Sequence, residues 1–223
     1  SVTLGTNQHV AGLGITLFST GLTLFLFRLK YGGRSTPPAL EDGFPRLPIL
    51  SDTILEPIFS QYALTYVAFI LVIVISWMFY RTSSGLRLRS VGENPEAADI
   101  AGISVYRTRY LALMLGGILM GMGGAFLSLA QLGAFAHGIV NGRGWIAIAI
   151  VIFGNWKPIR VFLGALLFAF VQALQLRLQA EGVDLPYEAL LALPYILTIT
   201  VLAIAGRNAS YPAALLKPYR REG

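Results

Sequence analysis

Hydrophobic and polar positions do not alternate along this chain; they separate into long blocks. Predominantly apolar stretches cover 10–27, 62–80, 110–130, 158–176 and 186–205. Each is close to the roughly 20 residues that a helix needs to cross the hydrocarbon core of a bilayer. Residues 145–153 are as apolar, but nine residues reach only about 14 Å as a helix. That stretch crosses only together with the preceding "GAFAHGIVNGRG", which is broken by glycine and carries Arg143. The pattern predicts an all-α, polytopic transmembrane helix bundle of about six crossings. One of them, 132–153, is an interrupted crossing, because irregular backbone at that depth survives only where protein or a water-filled cavity satisfies it. The chain is read as a single transmembrane domain, 1–223, with the polar connection 81–109 inside it.

Composition sharpens this picture. Of 223 residues, 55% are hydrophobic and 13% charged, about half the charged share of a soluble domain. The net charge is +6, but the basic residues are scattered among apolar spans and form no patch. The bilayer is therefore the expected partner, and nucleic acid is not. Place 81–109, 154–160 and 206–223 on one side. That side then holds Arg81, Arg87, Arg89, Arg107, Arg109, Lys157, Arg160, Arg207, Lys217, Arg220 and Arg221. The other side holds Arg28, Lys30, Arg34, Arg46, Arg143 and Arg177. Eleven against six makes the first side cytoplasmic by the positive-inside rule, and the C-terminus with it. Cysteine is absent, which excludes disulfides and thiolate metal sites. His9 and His137 are far apart with no acidic cluster nearby, so no metal is expected. The start at Ser1 has no initiator methionine and no basic n-region; no signal peptide is expected, and "SVTLGTNQHV" reads as an entry into a longer chain.

Between the second and third spans, "GLRLRSVGENPEAADIAGI" (85–103) is unlike either neighbour. Asn94 is a good N-cap, and Pro95 at the first helical position loses no needed N–H. Glu96 puts negative charge in the first turn, where the helix dipole favours it. Gly102 can take the left-handed conformation that stops a helix. The signals predict a helix over 95–101, too short to be stable alone in water. Arg87, Arg89, Arg107 and Arg109 flank it, available to acidic partners or lipid headgroups. Two roles stand open: an interfacial helix that joins two spans, and a preformed docking element for a cytoplasmic protein. Preformed caps favour docking by lowering the ordering cost, and the small side chain of Ala98 suits insertion into a cleft.

The extended segment "RTSSGLRLRSVGENPEAADIAGISV" resembles the cytoplasmic loop of permease subunits from bacterial ABC importers, in the branch serving simple sugars, nucleosides and branched-chain amino acids. Its identifying features are Gly85, Gly92, Asn94, Pro95, Ala97, Ala98, Ala101, Gly102 and Ile103. "TNQHVAGLGITLFSTGL" is similar to the family segment that opens a core helix, and "GRGWIAIAIVIFGNWKP" resembles the nucleoside-type permeases rather than the sugar-type pattern. The resemblance covers essentially the whole chain. It implies that 81–109 is a coupling loop resting on an ATPase, with Gly85, Arg87, Arg89, Gly92, Glu93, Asn94, Pro95, Glu96, Ala97, Ala98 and Gly102 as ATPase-coupling residues. It implies a second permease subunit, two cytoplasmic ATPase subunits that bind ATP and Mg, and an extracytoplasmic substrate-binding (lipo)protein. This chain itself would bind no cofactor and would sit in the bacterial inner membrane. Family subunits carry further transmembrane helices upstream, so an N-terminal part is expected to be missing.

Polar groups inside a membrane are functional candidates. Asn7 and Gln8 stand just before the first span, suited either to hydrogen-bonding a nucleobase or ribose or to tying the helix to a neighbour. Asn141, Arg143 and Trp145 flank the glycines of the interrupted crossing, the kind of unwound helix end where transporter sites form. There Trp145 could stack on a base; the other reading is an outer-mouth loop with Arg143 reaching headgroups. Gln172, Gln175 and Gln179 recur on one face of the fifth span, with Gln131 elsewhere, and suit interhelical hydrogen bonds. Gly117, Gly121 and Ala125 share a face of the third span, as do Gly124 and Ser128, spacing that lets helices pack closely in lipid or line a pathway. The prolines of "STPPALEDGFPRLPILSD" make 28–61 a loop, structured or solvated, and Pro194 is expected to kink the last span. No G-x-x-x-x-G-K-[ST], Ser–His–Asp or H-E-x-x-H arrangement is present, so neither ATP binding by a P-loop nor catalysis is expected. The alternative class, an ion-coupled secondary transporter, would want intramembrane acids, and the spans offer only Glu188 near one end.

Overall fold

The computed structural model of the chain describes residues 2–3, 5–32, 44–48, 60–136, 138–140, 142–182, 186–205 and 210–219. Its elements in chain order are α1 (Gln8–Tyr31), the short strands β1 (Arg46–Pro48) and β2 (Ser60–Tyr62), α2 (Ala63–Arg81), α3 (Ser83–Glu93) and α4 (Pro95–Ile100). There follow α5 (Val105–Ala125), continued by a π-helical turn (Phe126–Gln131), then α6 (Arg143–Phe153), α7 (Pro158–Ala180) and α8 (Tyr187–Ala205). Four described stretches are long and apolar enough to cross a membrane: Gln8–Tyr31, Ala63–Arg81, Val105–Gln131 and Pro158–Ala180. Arg143–Phe153 and Glu188–Ala203 are shorter apolar helices. The protein is a multi-pass, all-α membrane bundle. Of the expected interrupted crossing, 132–153, the helix among the described residues is α6, which begins after Gly142, at φ +76°, and is about 16 Å long. His137, Asn141 and most of the proline-rich connection, 33–43 and 49–59, lie outside the described residues.

The long helices turn apolar side chains outward. Val10, Leu17 and Phe18 of α1, Ile73 and Trp77 of α2 and Met120 of α5 are all exposed, and neither α1 nor α2 contains a buried residue. In water such surfaces would be costly; in a bilayer the acyl chains solvate them, and the backbone bonds inside each helix keep it folded. The glycine face of α5 is equally open. A methyl group built at Gly116, Gly117, Gly121, Gly123 or Gly124 meets nothing within 4 Å. The close helix packing expected of this face is therefore absent among the described residues of the chain.

Contacts divide the chain into two compact units, one of Ser1–Leu71, Met78–Asn141 and Pro212–Gly223, the other of Val72–Trp77 and Gly142–Tyr211. In the first unit β1 and β2 pair antiparallel with Arg46 opposite Tyr62. Arg46 Nη2 donates to the Tyr62 hydroxyl at 3.0 Å, and its guanidinium lies 4.9 Å from the ring centre. The buried cluster of this unit is small, formed by Val91, Ala98, Val105 and Tyr219, and it sits where α3, α4 and α5 meet.

In the second unit α7 packs against both α6 and α8. Gly164 allows the close approach, since a methyl group there would lie 3.0 Å from Phe153 Cδ1 and 3.1 Å from Ile150 Cγ2. The turn from α6 to α7 is tighter still. A methyl group at Gly154 would stand 2.5 Å from Val161 Cγ2, and Asn155 and Trp156 both adopt left-handed backbone, φ 51° and 54°. Such a conformation costs a non-glycine residue about 1–3 kcal/mol and persists only where neighbours hold it. Asn155 Oδ1 accepts from the Ser210 N–H at 2.9 Å, and the Trp156 ring stands edge-on to Tyr211 at 5.0 Å. α8 stays helical through Pro194, and the Thr198 hydroxyl donates to the Pro194 carbonyl at 2.7 Å. Gln175 is buried. Gln179 Nε2 is buried without a hydrogen-bond partner among the described residues, so the interhelical bond expected of it is not made there.

Candidate functional site

The connection between α2 and α5 is built almost entirely of helix. Thr82 ends α2 and caps α3: its hydroxyl donates to the Met78 carbonyl at 2.6 Å and accepts from the Gly85 N–H at 3.2 Å. Gly85 then allows α3 to fold against the end of α2. A methyl group at Gly85 would collide with the Met78 carbonyl and stand 2.6 Å from Phe79 Cα and 2.7 Å from the Phe79 carbonyl oxygen. All three are backbone atoms of another helix and cannot rotate away. Only glycine fits.

One residue joins α3 to α4. The Asn94 N–H closes α3 by donating to the Ser90 carbonyl at 2.9 Å, and its side-chain oxygen opens α4 by accepting from the Ala97 N–H at 3.0 Å. Pro95 stands at the first helical position and Glu96 in the first turn, as the sequence predicts. At the other end Gly102 takes φ +81°. There the Ile103 N–H donates to the Ala98 carbonyl and the Gly102 N–H to the Asp99 carbonyl, both at 2.9 Å. These two bonds are the Schellman arrangement, which satisfies the carbonyls a helix leaves orphaned at its end. The helix is one residue shorter than expected, with Ala101 as its C-cap.

The two faces of α4 are sharply different. Ala98 is 3% exposed, packed with Val91, Val105 and Tyr219. The expectation that Ala98 is free to enter a partner's cleft is therefore corrected: it is turned into the chain's own core. The outward face carries Glu96, Ala97 and Ile100, and Ile100 is 89% exposed. Arg87, Arg89 and Glu93 are exposed on α3, with the Arg89 guanidinium 5.2 Å from the centre of the Tyr80 ring. Gly92 has open space apart from Pro212, whose Cβ would lie 4.0 Å from a Cβ built there.

Residues 212–219 lie along this junction. The Ala214 N–H donates to the Gly92 carbonyl at 3.0 Å, and Arg109 Nη1 donates to the Lys217 carbonyl at 3.4 Å. The Tyr106 hydroxyl donates to the Tyr219 carbonyl at 3.4 Å, and the two tyrosine rings are 5.8 Å apart. The Tyr219 hydroxyl donates to Asp99 Oδ2 at 2.9 Å. Sequence reasoning missed these contacts, the helicity of 83–93 and the exposure of Ile100.

Of the other sequence candidates, Asn7 and Gln8 belong to the first unit and Arg143 and Trp145 to the second, and Asn141 lies outside the described residues. Asn7 caps α1, its side-chain oxygen accepting from the His9 N–H at 2.9 Å and the Val10 N–H at 3.4 Å, so its local role is structural. Gln8 is the first residue of that helix. Arg143 opens α6 and is partly buried, and Trp145 is 71% exposed. Within the second unit a cavity of about 320 Å³ is lined by Gly142, Trp145, Ile146, Ala149, Tyr195 and Thr198, among others. Its two aromatic walls come from α6 and α8; the sequence pointed to Trp145 and gave no sign of Tyr195.

Several apolar spans and a doubly capped short helix between two of them make this a polytopic membrane protein. Comparison with known proteins makes that class specific. The profile of the family described as branched-chain amino acid transport system / permease component matches residues 1–203, and the chain belongs to that family. It is 37% identical to the guanosine ABC transporter permease protein NupQ of Bacillus subtilis, covering 98% of this chain and 70% of the relative. It is 36% identical to the nucleoside ABC transporter permease protein NupC of Lactococcus lactis, covering 96% and 69%. A third relative, named "Putative glucose ABC transporter permease protein TsgC13", from Haloferax volcanii, is 36% identical over 99% of this chain and 75% of its own length. These relatives are transporter permease subunits, not enzymes. No solved structure matches the chain.

Proposed function

We propose that this chain is the membrane-spanning subunit of an ATP-driven importer of nucleosides, and that α3 and α4 are its coupling element. In this reading residues 81–109 and 210–219 face the cytoplasm of a bacterial cell. Two ATPase subunits, which hold ATP and Mg, dock on α4 from below. A second permease subunit completes the path, and an extracytoplasmic binding protein delivers the solute. Two of the relatives are named for guanosine and nucleosides. That preference is supported by the flat walls of Trp145 and Tyr195, since aromatic side chains stack on any base. A sugar is the other solute class, from the third relative's name.

One observation carries the coupling role: a six-residue helix is fixed at both ends and on its inner face, yet presents an isoleucine that is 89% exposed. A helix this short is not stable alone, so its rigidity comes from the junction beneath it. Rigid presentation lowers the ordering cost of docking. Burying Ile100 against a partner would contribute about 1.5–3 kcal/mol, or roughly ten- to a hundredfold in affinity. The test is Ile100→Asp in the complete transporter. ATPase pull-down and substrate-stimulated ATP hydrolysis should fall by at least that factor while the permease still inserts. Unaltered binding and stimulation would leave α4 as a connector only.

A further inference from the structure

We propose that residues 212–219 are a brace that sets the position of α4, with Tyr219 as its positioning residue; the functional half of this inference rests on the coupling role argued above. A helix of six residues cannot hold itself, and its inner face contributes one buried side chain, Ala98. Of the four residues in the buried cluster, one comes from α3, one from α4, one from α5 and one, Tyr219, from the brace. Without Tyr219, Ala98 and Val105 lose the buried one of the two aromatic side chains at their cluster, and Asp99 loses the phenol that bonds it at 2.9 Å. The brace touches every helix of the junction: α3 through the Gly92 carbonyl, α4 through Asp99, and α5 through Tyr106 and Arg109. It is also held in a demanding shape. Leu216 has φ +62°, a conformation that non-glycine residues keep only when surrounding contacts impose it. The Leu215 N–H to Pro212 carbonyl and Lys217 N–H to Ala214 carbonyl bonds, at 2.9 and 3.2 Å, fold it into consecutive turns.

A segment merely lying on the surface would leave α4 unchanged on its removal. A brace makes α4 depend on it, and two readouts separate these. In the permease itself, amide exchange over 97–103 reports α4 independently of any ATPase. In the complete transporter, solute imported per ATP hydrolysed reports coupling. Tyr219→Ala should speed exchange by about tenfold or more, since it removes a bond to a charged group together with its packing, and should lower coupling while basal ATP hydrolysis continues. Tyr219→Phe keeps the ring beside Tyr106 and loses the hydroxyl that bonds Asp99, so its effect should be intermediate.

Rescue is the decisive arm. The chain contains no cysteine, and the 4.0 Å between a Cβ at Gly92 and that of Pro212 lies within the roughly 3.5–4.5 Å range of disulfides. In a Gly92→Cys, Pro212→Cys, Tyr219→Ala variant, oxidation should slow the α4 exchange and raise coupling, and reduction should reverse both. The proposal is overturned if the disulfide does not form, if oxidation leaves exchange and coupling where reduction does, or if Tyr219→Ala matches the parent in exchange. Should Ile100→Asp leave ATPase binding intact, the coupling role falls, and exchange with cross-linking still decides whether the brace exists.

Discussion

Gly85 and Gly92 lie seven residues apart in the same helix, and the geometry assigns them opposite responses to alanine. Helix propensity alone favours both changes by about 0.8–1 kcal/mol. At Gly92 the nearest atom to an added methyl group is Pro212 Cβ at 4.0 Å, an ordinary contact, so the propensity gain stands. At Gly85 the methyl group would stand 2.6 and 2.7 Å from Phe79 backbone atoms and closer still to the Met78 carbonyl. Relief requires α3 to move off the end of α2, because no flexible side chain is involved. Overpacking of a fixed site costs about 1–3 kcal/mol, which meets or exceeds the gain. The prediction is therefore a change of sign. Native-state hydrogen exchange over 83–93 measures it locally: Gly92→Ala should slow exchange about fivefold, and Gly85→Ala should speed it, by up to about fortyfold. Equal stabilisation by both variants would refute the close approach of α3 to α2.

Asn94→Ala removes the side-chain acceptor at the start of α4, at a cost of about 1 kcal/mol; exchange at Ala97 should quicken about fivefold, with α5 unaffected. Trp145→Ala should raise the KM for nucleoside uptake with basal ATP hydrolysis intact, by the factor equivalent to about 1–3 kcal/mol of base stacking; unchanged uptake kinetics would return Trp145 to a packing role. Cysteines at Ser83 and Ser210 should resist membrane-impermeant thiol reagents in intact cells while Ser51→Cys labels; labelling of Ser83→Cys in sealed cells would reverse the proposed orientation.

The spans were legible because hydrophobic length is read directly from composition, and the described helices are centred where the apolar stretches lie. The ends of α4 were legible for a related reason: Asn94, Pro95 and Gly102 act on their own backbone within a few residues. What α4 faces was not legible. Six residues show no helical period, so nothing local distinguishes Ala98, which is buried, from Ile100, which is not. The helicity of 83–93 was hidden by two glycines and three serines; it depends on Gly85 meeting α2 and Val91 entering a core. Residues 212–219 read as an ordinary tail because every bond that ties them to the helix junction reaches back more than a hundred positions. Of the substrate-path candidates, Trp145 stood out as an aromatic beside a glycine break, whereas Tyr195 sits inside a continuous apolar helix with no local sign of its place at the cavity.

In the proposed function, ATP hydrolysis acting through the α3–α4 element drives solute through this subunit. Its most direct test is uptake of a radiolabelled nucleoside by proteoliposomes holding the complete transporter, with ATP supplied on the α4 side and ion gradients collapsed by ionophores. Uptake should require ATP and persist without any gradient. Uptake that proceeds without ATP and stops when the gradients collapse would contradict it and assign the chain to ion-coupled transport.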